Sequence, residues 1–333
     1  MSPGERPGEF DLIARYFAPM AGAGGLGLVD DAALLTPPPG CDLVLTKDAL
    51  VAGVHFFPND PPETIARKAL RVNLSDLAAK GARPLGFLLG LGLPTDWRED
   101  WLATFASGLA ADSALFGCPL LGGDTVRAGG PLILSITALG SMPAGTMVRR
   151  SGGKPGDLLY VSGVIGAAAL GLHLIRDGDP PWSRPLSGDA RAALISAFHV
   201  PQPPVALAEG IRLHASAAMD VSDGLIGDAL KLAKASGTGL EIEAARVPLP
   251  LPGTPLPTLV ARHRFLLDAV LTGGDDYQVL AAVPPDRASA FERAAQDIAL
   301  PVTPIGRLTA RGVRIHGFAG EDLSFGKPSF GHF

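Results

Sequence analysis

Residues Pro62–Pro94 read PETIARKALRVNLSDLAAKGARPLGFLLGLGLP, an Ala-rich stretch of helical length followed at once by an apolar run. The Ala-rich stretch reads as a helix over about Pro62–Ala82. Leu85–Leu93 is short, apolar and stopped by Pro94, which reads as a buried strand. Working outward, Trp97–Leu115 has the pattern of an amphipathic helix and Leu132–Ser141 that of a further strand. Upstream, Asp42–Leu45 and Leu50–Phe57 read as strands, and Phe10–Met20 as a helix followed by a Gly-rich loop at Gly22–Gly27. Strands that alternate with helices place the chain in the α/β (α+β) class.

The chain has 333 residues, enough for two domains. RRSGGKPGD at Arg149–Asp157 packs Gly, Pro and charge between apolar runs, so a domain change is expected there, giving residues 1–148 and 149–333. Asp177–Asp189 reads as a surface excursion, and the alternating prolines of Val247–Pro257 as an extended connector. LLGGDTV (Leu120–Val126) and LTGGDDY (Leu271–Tyr277) echo each other once per half, too little to establish duplication.

Composition excludes several classes. With 47% hydrophobic and 18% charged residues the chain can bury a core, and 42 Gly with 31 Pro stay below the roughly 25–30% that marks low complexity. A net charge of −5 and a pI near 5.8 argue against a nucleic-acid partner. Despite a mean hydropathy of +0.27, the longest apolar candidate, Gly163–Ile175, contains His173 and is shorter than the roughly 20 residues a spanning helix needs. MSPGERPGEF lacks the pattern of a secretory signal, so a cytoplasmic location is expected. Cys41 and Cys118 are too distant in sequence to suggest zinc or a disulfide framework.

The informative pattern is the placing of aspartate: LVDDAALL (Asp30, Asp31), LTKDAL (Asp48), VNLSDLAAKGA (Asp76), LLGGDT (Asp124), MDVSDGL (Asp220, Asp223) and LTGGDDY (Asp275, Asp276). Almost every one sits at the edge of an apolar run among small residues, where an ionised carboxylate is costly without a partner or a cation. Carboxylate oxygens suit a hard ion, and Mg2+ is expected, since no His/Cys cluster favours a softer one. Such acidic sites serve phosphate chemistry only through bridging metals, so several Mg2+ ions and a nucleotide follow together. Taken singly, each GGD or SDG is equally a helix cap or turn.

Two fingerprints are decoys. Gly22, Gly24 and Gly27 spell GxGxxG, but a helix rather than a strand precedes them, and Ser151–Lys154 lacks the spacing of a phosphate loop. Arg149 and Arg150 could reach phosphate oxygens or only solvate the surface, and His55 lies in an apolar run as a core or edge residue would.

Together, GEFDLIARYF, VDDAALL, KDALVAGVHF, KALRVNLSDLAAKGA, LLGGDT, RRSGGKPGDLLYVSG, DVSDGL, TGGDDY and a closing GHF resemble the thiamine-monophosphate kinase family of the aminoimidazole ribonucleotide synthetase-like superfamily, nearly end to end. The resemblance implies a two-domain fold whose N-terminal domain binds ATP and Mg2+ and pairs in a homodimer to form an intersubunit β-barrel, with a C-terminal α/β domain completing the cleft. It implies direct phosphoryl transfer from ATP to thiamine monophosphate with no catalytic base. It also implies roles: Asp30, Thr46, Asp48, Asp76, Asp124, Asp220 and Asp223 as metal ligands, Gly123, Arg150 and Ser222 as ATP contacts, and His55, Asp275 and Phe325 as thiamine monophosphate contacts. The chain departs from the family at Val29, where the pattern has Gly, at Lys47, where it has Thr, and at Asp275, where it has Glu. The sister enzymes selenophosphate synthetase and the hydrogenase-maturation dehydratase fit less well, because neither the Gly22–Gly27 loop nor the C-terminus holds a cysteine. A nicotinamide oxidoreductase or a plain divalent-ion binder would separate from the kinase by nucleotide titration with and without Mg2+.

Overall fold

The computed structural model describes residues 8–329 and 331, so the start read as MSPGERP and the final His332 and Phe333 lie outside it. The chain divides into two compact units: residues 1–77 with 83–145, and residues 78–82 with 146–333. The expected boundary at residue 148 thus sits three residues beyond Gly145, and one short segment, Ala78–Ala82, clusters with the second unit.

In the first unit α1 (Glu9–Leu12) runs into a wide turn at Ile13–Phe17 and a tight one at Ala18–Met20. The expected single helix changes winding here because Pro19 supplies no backbone N–H. β1 (Cys41–Val51), α2 (Pro62–Lys80), β2 (Arg83–Leu93), α3 (Glu99–Phe116), β3 (Leu120–Arg127) and β4 (Ile133–Pro143) follow. Their sheet has the order β1-β4-β2-β3, with β2 and β3 parallel across the α3 crossover and β4 antiparallel to β1 and β2. α3 ends where Gly117 turns left-handed at φ 59°.

β1 corrects the expectation of two strands. Thr46, Lys47 and Asp48 looked like a break, but the strand runs through them, pairing Cys41–Val51 with Pro143–Ile133. Its inner positions Val44 and Leu50 are buried while Leu43 and Leu45 are 38% and 63% exposed, an alternation that polar residues can join. The expected strand end at Ala52–Phe57 instead folds into turns around His55.

In the second unit β5 (Leu158–Ser162), β6 (Ala217–Val221), β7 (Gly239–Glu243), β8 (Gln278–Val283), β9 (Val302–Thr309) and β10 (Val313–His316) form a sheet of order β10-β7-β9-β5-β8-β6. Only β7 and β10 pair in parallel. The helices are α4 (Ala167–Asp177), α5 (Gly188–His199), α6 (Ala208–His214), α7 (Leu225–Ser236), α8 (Leu256–Arg262), α9 (Arg264–Thr272) and α10 (Ala288–Asp297). Both sheet faces are covered: Leu159 and Val161 join one apolar cluster with Leu225 and Leu266, while Tyr160 joins another with Ile211 and Phe291. Strands buried on both faces lose period-2 patterning, which is why β6 and β8 are buried at every position. The Asp177–Asp189 excursion is anchored rather than superficial, because Trp182, Ser183 and Leu186 are buried. The two GGD echoes differ in structure, one lying in β3 and the other in the loop between α9 and β8. Among the described residues no helix is long and apolar enough to cross a membrane.

Candidate functional site

In the first unit three expected ligands meet where β1 faces α2. The Thr46 hydroxyl donates to Asp76 Oδ2, so the hydroxyl from the strand and the carboxylate from the helix are in contact. Asp48, two positions along the same strand face, has its carboxyl pushed up to about 6, first by burial and then by repulsion from Asp76. A site that raises an aspartate in this way favours a cation beside it, and its oxygens are hard donors of the kind Mg2+ takes.

Asp124 stands apart from these three. The register sets it in line with Gly90, Ser135 and Ala49, one residue out of phase with Thr46 and Asp48, so it shares the opposite sheet face. There it borders a concavity of about 360 Å3 with Gly92, Val126 and Ser135. The departing residue Lys47 points to this same face and donates from Nζ to Ser135 Oγ at 2.6 Å. Gly123 precedes Asp124 with its Cα against β2, where a Cβ would stand 2.0 Å from the Leu89 carbonyl oxygen, so only glycine fits. Asp30 is exposed beside Val29, and its Oδ1 accepts the Asp31 N–H at 2.8 Å. His55 accepts the Val51 N–H at Nδ1 (3.0 Å), which leaves Nε2 as the protonated nitrogen of the neutral ring.

The Gly22–Gly27 decoy forms tight turns against the start of β3, where Gly22 N–H donates to the Leu120 carbonyl at 2.8 Å. It neither follows a strand nor opens a helix of the dinucleotide kind.

In the second unit the DVSDG and TGGDDY segments lie side by side. Asp220 is buried at the end of β6, and Ser222, Asp223 and Gly224 turn the chain into α7. The Asp275 and Tyr277 N–H groups donate to the Ser222 and Val221 carbonyls, both at 2.8 Å, and the Tyr277 hydroxyl donates to Asp275 Oδ1 at 3.1 Å. Asp275 and Tyr277 hold φ of 63° and 51°, a left-handed backbone that side chains other than glycine rarely adopt. Beneath them Asp276 accepts the Gly166 N–H at the start of α4 (2.8 Å), and burial pushes its carboxyl up to about 7. Phe325 lies under the Arg264 guanidinium, 5.1 Å from it, in a tail whose Ser324 carbonyl also accepts from Arg264. Arg150 is exposed, and the turn after it is pinned by the Lys154 N–H donating to Asp157 Oδ2 at 2.9 Å.

Within the first unit, then, Thr46, Asp48 and Asp76 share one sheet face and Asp124 takes the other. Among the described residues no three His, Cys, Asp or Glu side chains come together as a metal cluster. Four participants escaped the sequence reading. Asp228 and Lys231 of α7 bind the DVSDG turn, and Arg71 with Asp112 forms a buried ion pair between α2 and α3. Asp228 and Lys231 stand three apart on one helix face, a spacing visible in sequence, but nothing local ties them to Asp223.

Comparison with known proteins covers the chain. The N-terminal domain family of AIR synthase related proteins matches residues 29–142, and the C-terminal domain family matches residues 154–317. A thiamine-monophosphate kinase of Caulobacter vibrioides is 44% identical over 326 residues, 96% of this chain and 89% of that protein. The crystal structure of a thiamine-monophosphate kinase from Stenotrophomonas maltophilia K279a superposes with a TM-score of 0.79 at 38% identity, covering 87% of this chain and 90% of that one. AaThiL complexed with AMPPCP and TMP superposes with a TM-score of 0.75 at 28% identity over 100% of both chains.

Proposed function

The chain belongs to the thiamine-monophosphate kinase family of AIR synthase related proteins, and on that premise we propose that it phosphorylates thiamine monophosphate with ATP, giving thiamine diphosphate and ADP. The observation that carries this reading is the end-to-end match at 44% identity, supported by a structural relative that holds AMPPCP and TMP.

The residues divide the work. Gly123, Arg150 and Ser222 take the ATP phosphates, with the Arg150 guanidinium suited to bidentate contact. His55, Asp275 and Phe325 take thiamine monophosphate, with Nε2 of His55 as a donor and the Asp275 carboxylate, held by Tyr277, as an acceptor. Asp30, Thr46, Asp48, Asp76, Asp124, Asp220 and Asp223 hold Mg2+, and their hard oxygens fit it. Bound Mg2+ supplies neutralisation of phosphate charge. No side chain acts as a general base: the attacking phosphate oxygen is already ionised, so the chain contributes positioning and charge. At Lys47 only the backbone carbonyl can serve a metal, since the ammonium donates to Ser135 on the other face.

A homodimer completes the reading. Leu43, Leu45, Leu88, Val126 and Ile133 share one face of the first sheet and are 38–63% exposed, an apolar surface suited to a second copy. Use of ATP accords with a cytoplasmic location.

The test is direct. Purified protein with Mg2+, ATP and thiamine monophosphate should form thiamine diphosphate and ADP in equal amounts, read by ion-exchange chromatography. ADP without thiamine diphosphate, or no product, would overturn the assignment.

A further inference from the structure

Lys231 of α7 lies outside the expected ligand set, yet its ammonium is at the centre of the DVSDG turn. It donates to Asp223 Oδ2 and, at 2.8 Å, to Asp228 Oδ1. Asp228 is fully buried, and its other oxygen accepts the Ser222 and Asp223 N–H groups at 3.0 Å each. The two carboxylates differ in need. Asp228 is 0% exposed and must keep a partner, whereas the Asp223 side chain is 38% exposed and can exchange one cation for another.

We propose that Lys231 is a built-in counter-cation that competes with the metal ion for Asp223 and so sets the metal affinity of this turn. This rests on the reading of Asp223 as a metal ligand. The ammonium already neutralises the Asp223 carboxylate from its Oδ2 side and would repel a divalent ion bound to the same group, so the two cations compete for one negative charge. Lys231 therefore has two stations. Without metal it bridges Asp223 and Asp228, and with metal it withdraws onto Asp228, which keeps the Ser222–Asp223 backbone fixed throughout. The lysine is a positioning residue, acting through Asp223 rather than on the substrate. Its effect is to stop the turn from collapsing or trapping ions tightly when no nucleotide is present.

The experiment is Mn2+ binding to the full chain without nucleotide, read from the electron paramagnetic resonance signal of free Mn2+. Lys231→Met should bind one Mn2+ roughly five- to tenfold more tightly than the parent protein, the scale of removing one competing charge about 4 Å away in a water-like dielectric. Because that variant leaves Asp228 unpaired, Lys231→Met/Asp228→Asn is the companion: it keeps an acceptor for the backbone N–H groups and should also bind more tightly. Lys231→Arg should stay near the parent affinity. Asp223→Asn should lose this ion. If Asp223→Asn leaves Mn2+ binding unchanged, the ligand reading falls and this proposal with it. If Asp223→Asn weakens binding while both Lys231→Met variants bind no more tightly, the ligand reading stands and the role of Lys231 is overturned.

Discussion

The Arg71 guanidinium grips the Asp112 carboxylate with two hydrogen bonds, Nε to Oδ2 at 2.5 Å and Nη2 to Oδ1 at 2.9 Å, and both side chains are 1% exposed. Arg67 adds a third contact to Oδ1 at 3.1 Å, and the ring of Phe116 covers the guanidinium at 5.1 Å. This pair fixes α2, the helix that carries Asp76, against α3. Removing one partner leaves a buried charge, so Asp112→Asn should cost about 3 kcal/mol or more in denaturant unfolding. Replacing both, as Arg71→Met/Asp112→Leu, should recover much of that loss. A loss under 1 kcal/mol for the single variant would contradict the account.

Asp124 is an exposed residue on β3, so its substitution should touch chemistry and spare the fold. For Asp124→Asn we expect turnover to fall by a hundredfold or more, about the scale of losing one charge-stabilising group, with stability within about 0.5 kcal/mol of the parent. Steady-state kinetics paired with a thermal melt reads both. A large drop in Tm would mean that the carboxylate is a structural cap.

Burial, and then repulsion from Asp76, push the Asp48 carboxyl up to about 6, so a metal ion bound there must displace its proton. Mg2+ uptake at pH 6 should therefore release about half a proton per site, and almost none at pH 8, where the carboxyl is already ionised. Calorimetry in buffers of different ionisation enthalpy measures this. Asp48→Asn should abolish the release at pH 6.

Asp276 has its folded carboxyl raised to about 7 from an ordinary value of 3.8. Its protonated form is favoured by the fold, so its contribution to stability is fully present below about pH 4 and is lost as pH rises through 7. Asp276→Asn does not titrate. Between pH 5 and pH 8 the Tm of the parent should therefore fall relative to the variant, by an amount on the order of 2–3 kcal/mol in stability. Parallel melting curves for the two proteins would refute this.

Gly274 sits at φ 75°, where an added Cβ would lie 2.5 Å from the Ser222 carbonyl oxygen. Gly274→Ala should push the Asp275 loop off the DVSDG turn, costing about 1–2 kcal/mol from backbone strain alone. The KM for thiamine monophosphate should rise more than the KM for ATP. Equal changes in both would place Asp275 away from the acceptor substrate.

The sequence made α2, β2, α3 and β4 legible because each shows in its own local pattern, as in the apolar run of β2 stopped by Pro94. It misread β1 as two strands, because Lys47 and Asp48 look like a break until their neighbours on β4 are known. It was nearly silent on β6 and β8, whose every residue is buried. Among the site residues, the aspartates stood out by their small, apolar surroundings. Lys231 and Asp228 did not, since an i, i+3 pair on a helix is an ordinary surface feature until burial makes it a necessity.

By itself, then, the sequence determined the kind of chemistry: hard oxygen ligands in glycine-flanked turns, in an order that matches one kinase family. Those features are local, and the chain carries them wherever it folds. Tertiary structure alone decided which carboxylates are neighbours, that Thr46 meets Asp76 while Asp124 takes the opposite sheet face, and that Lys231 holds Asp223. Strand register and burial make those choices, and both depend on residues far apart in the chain whose desolvation gives each charge its energy.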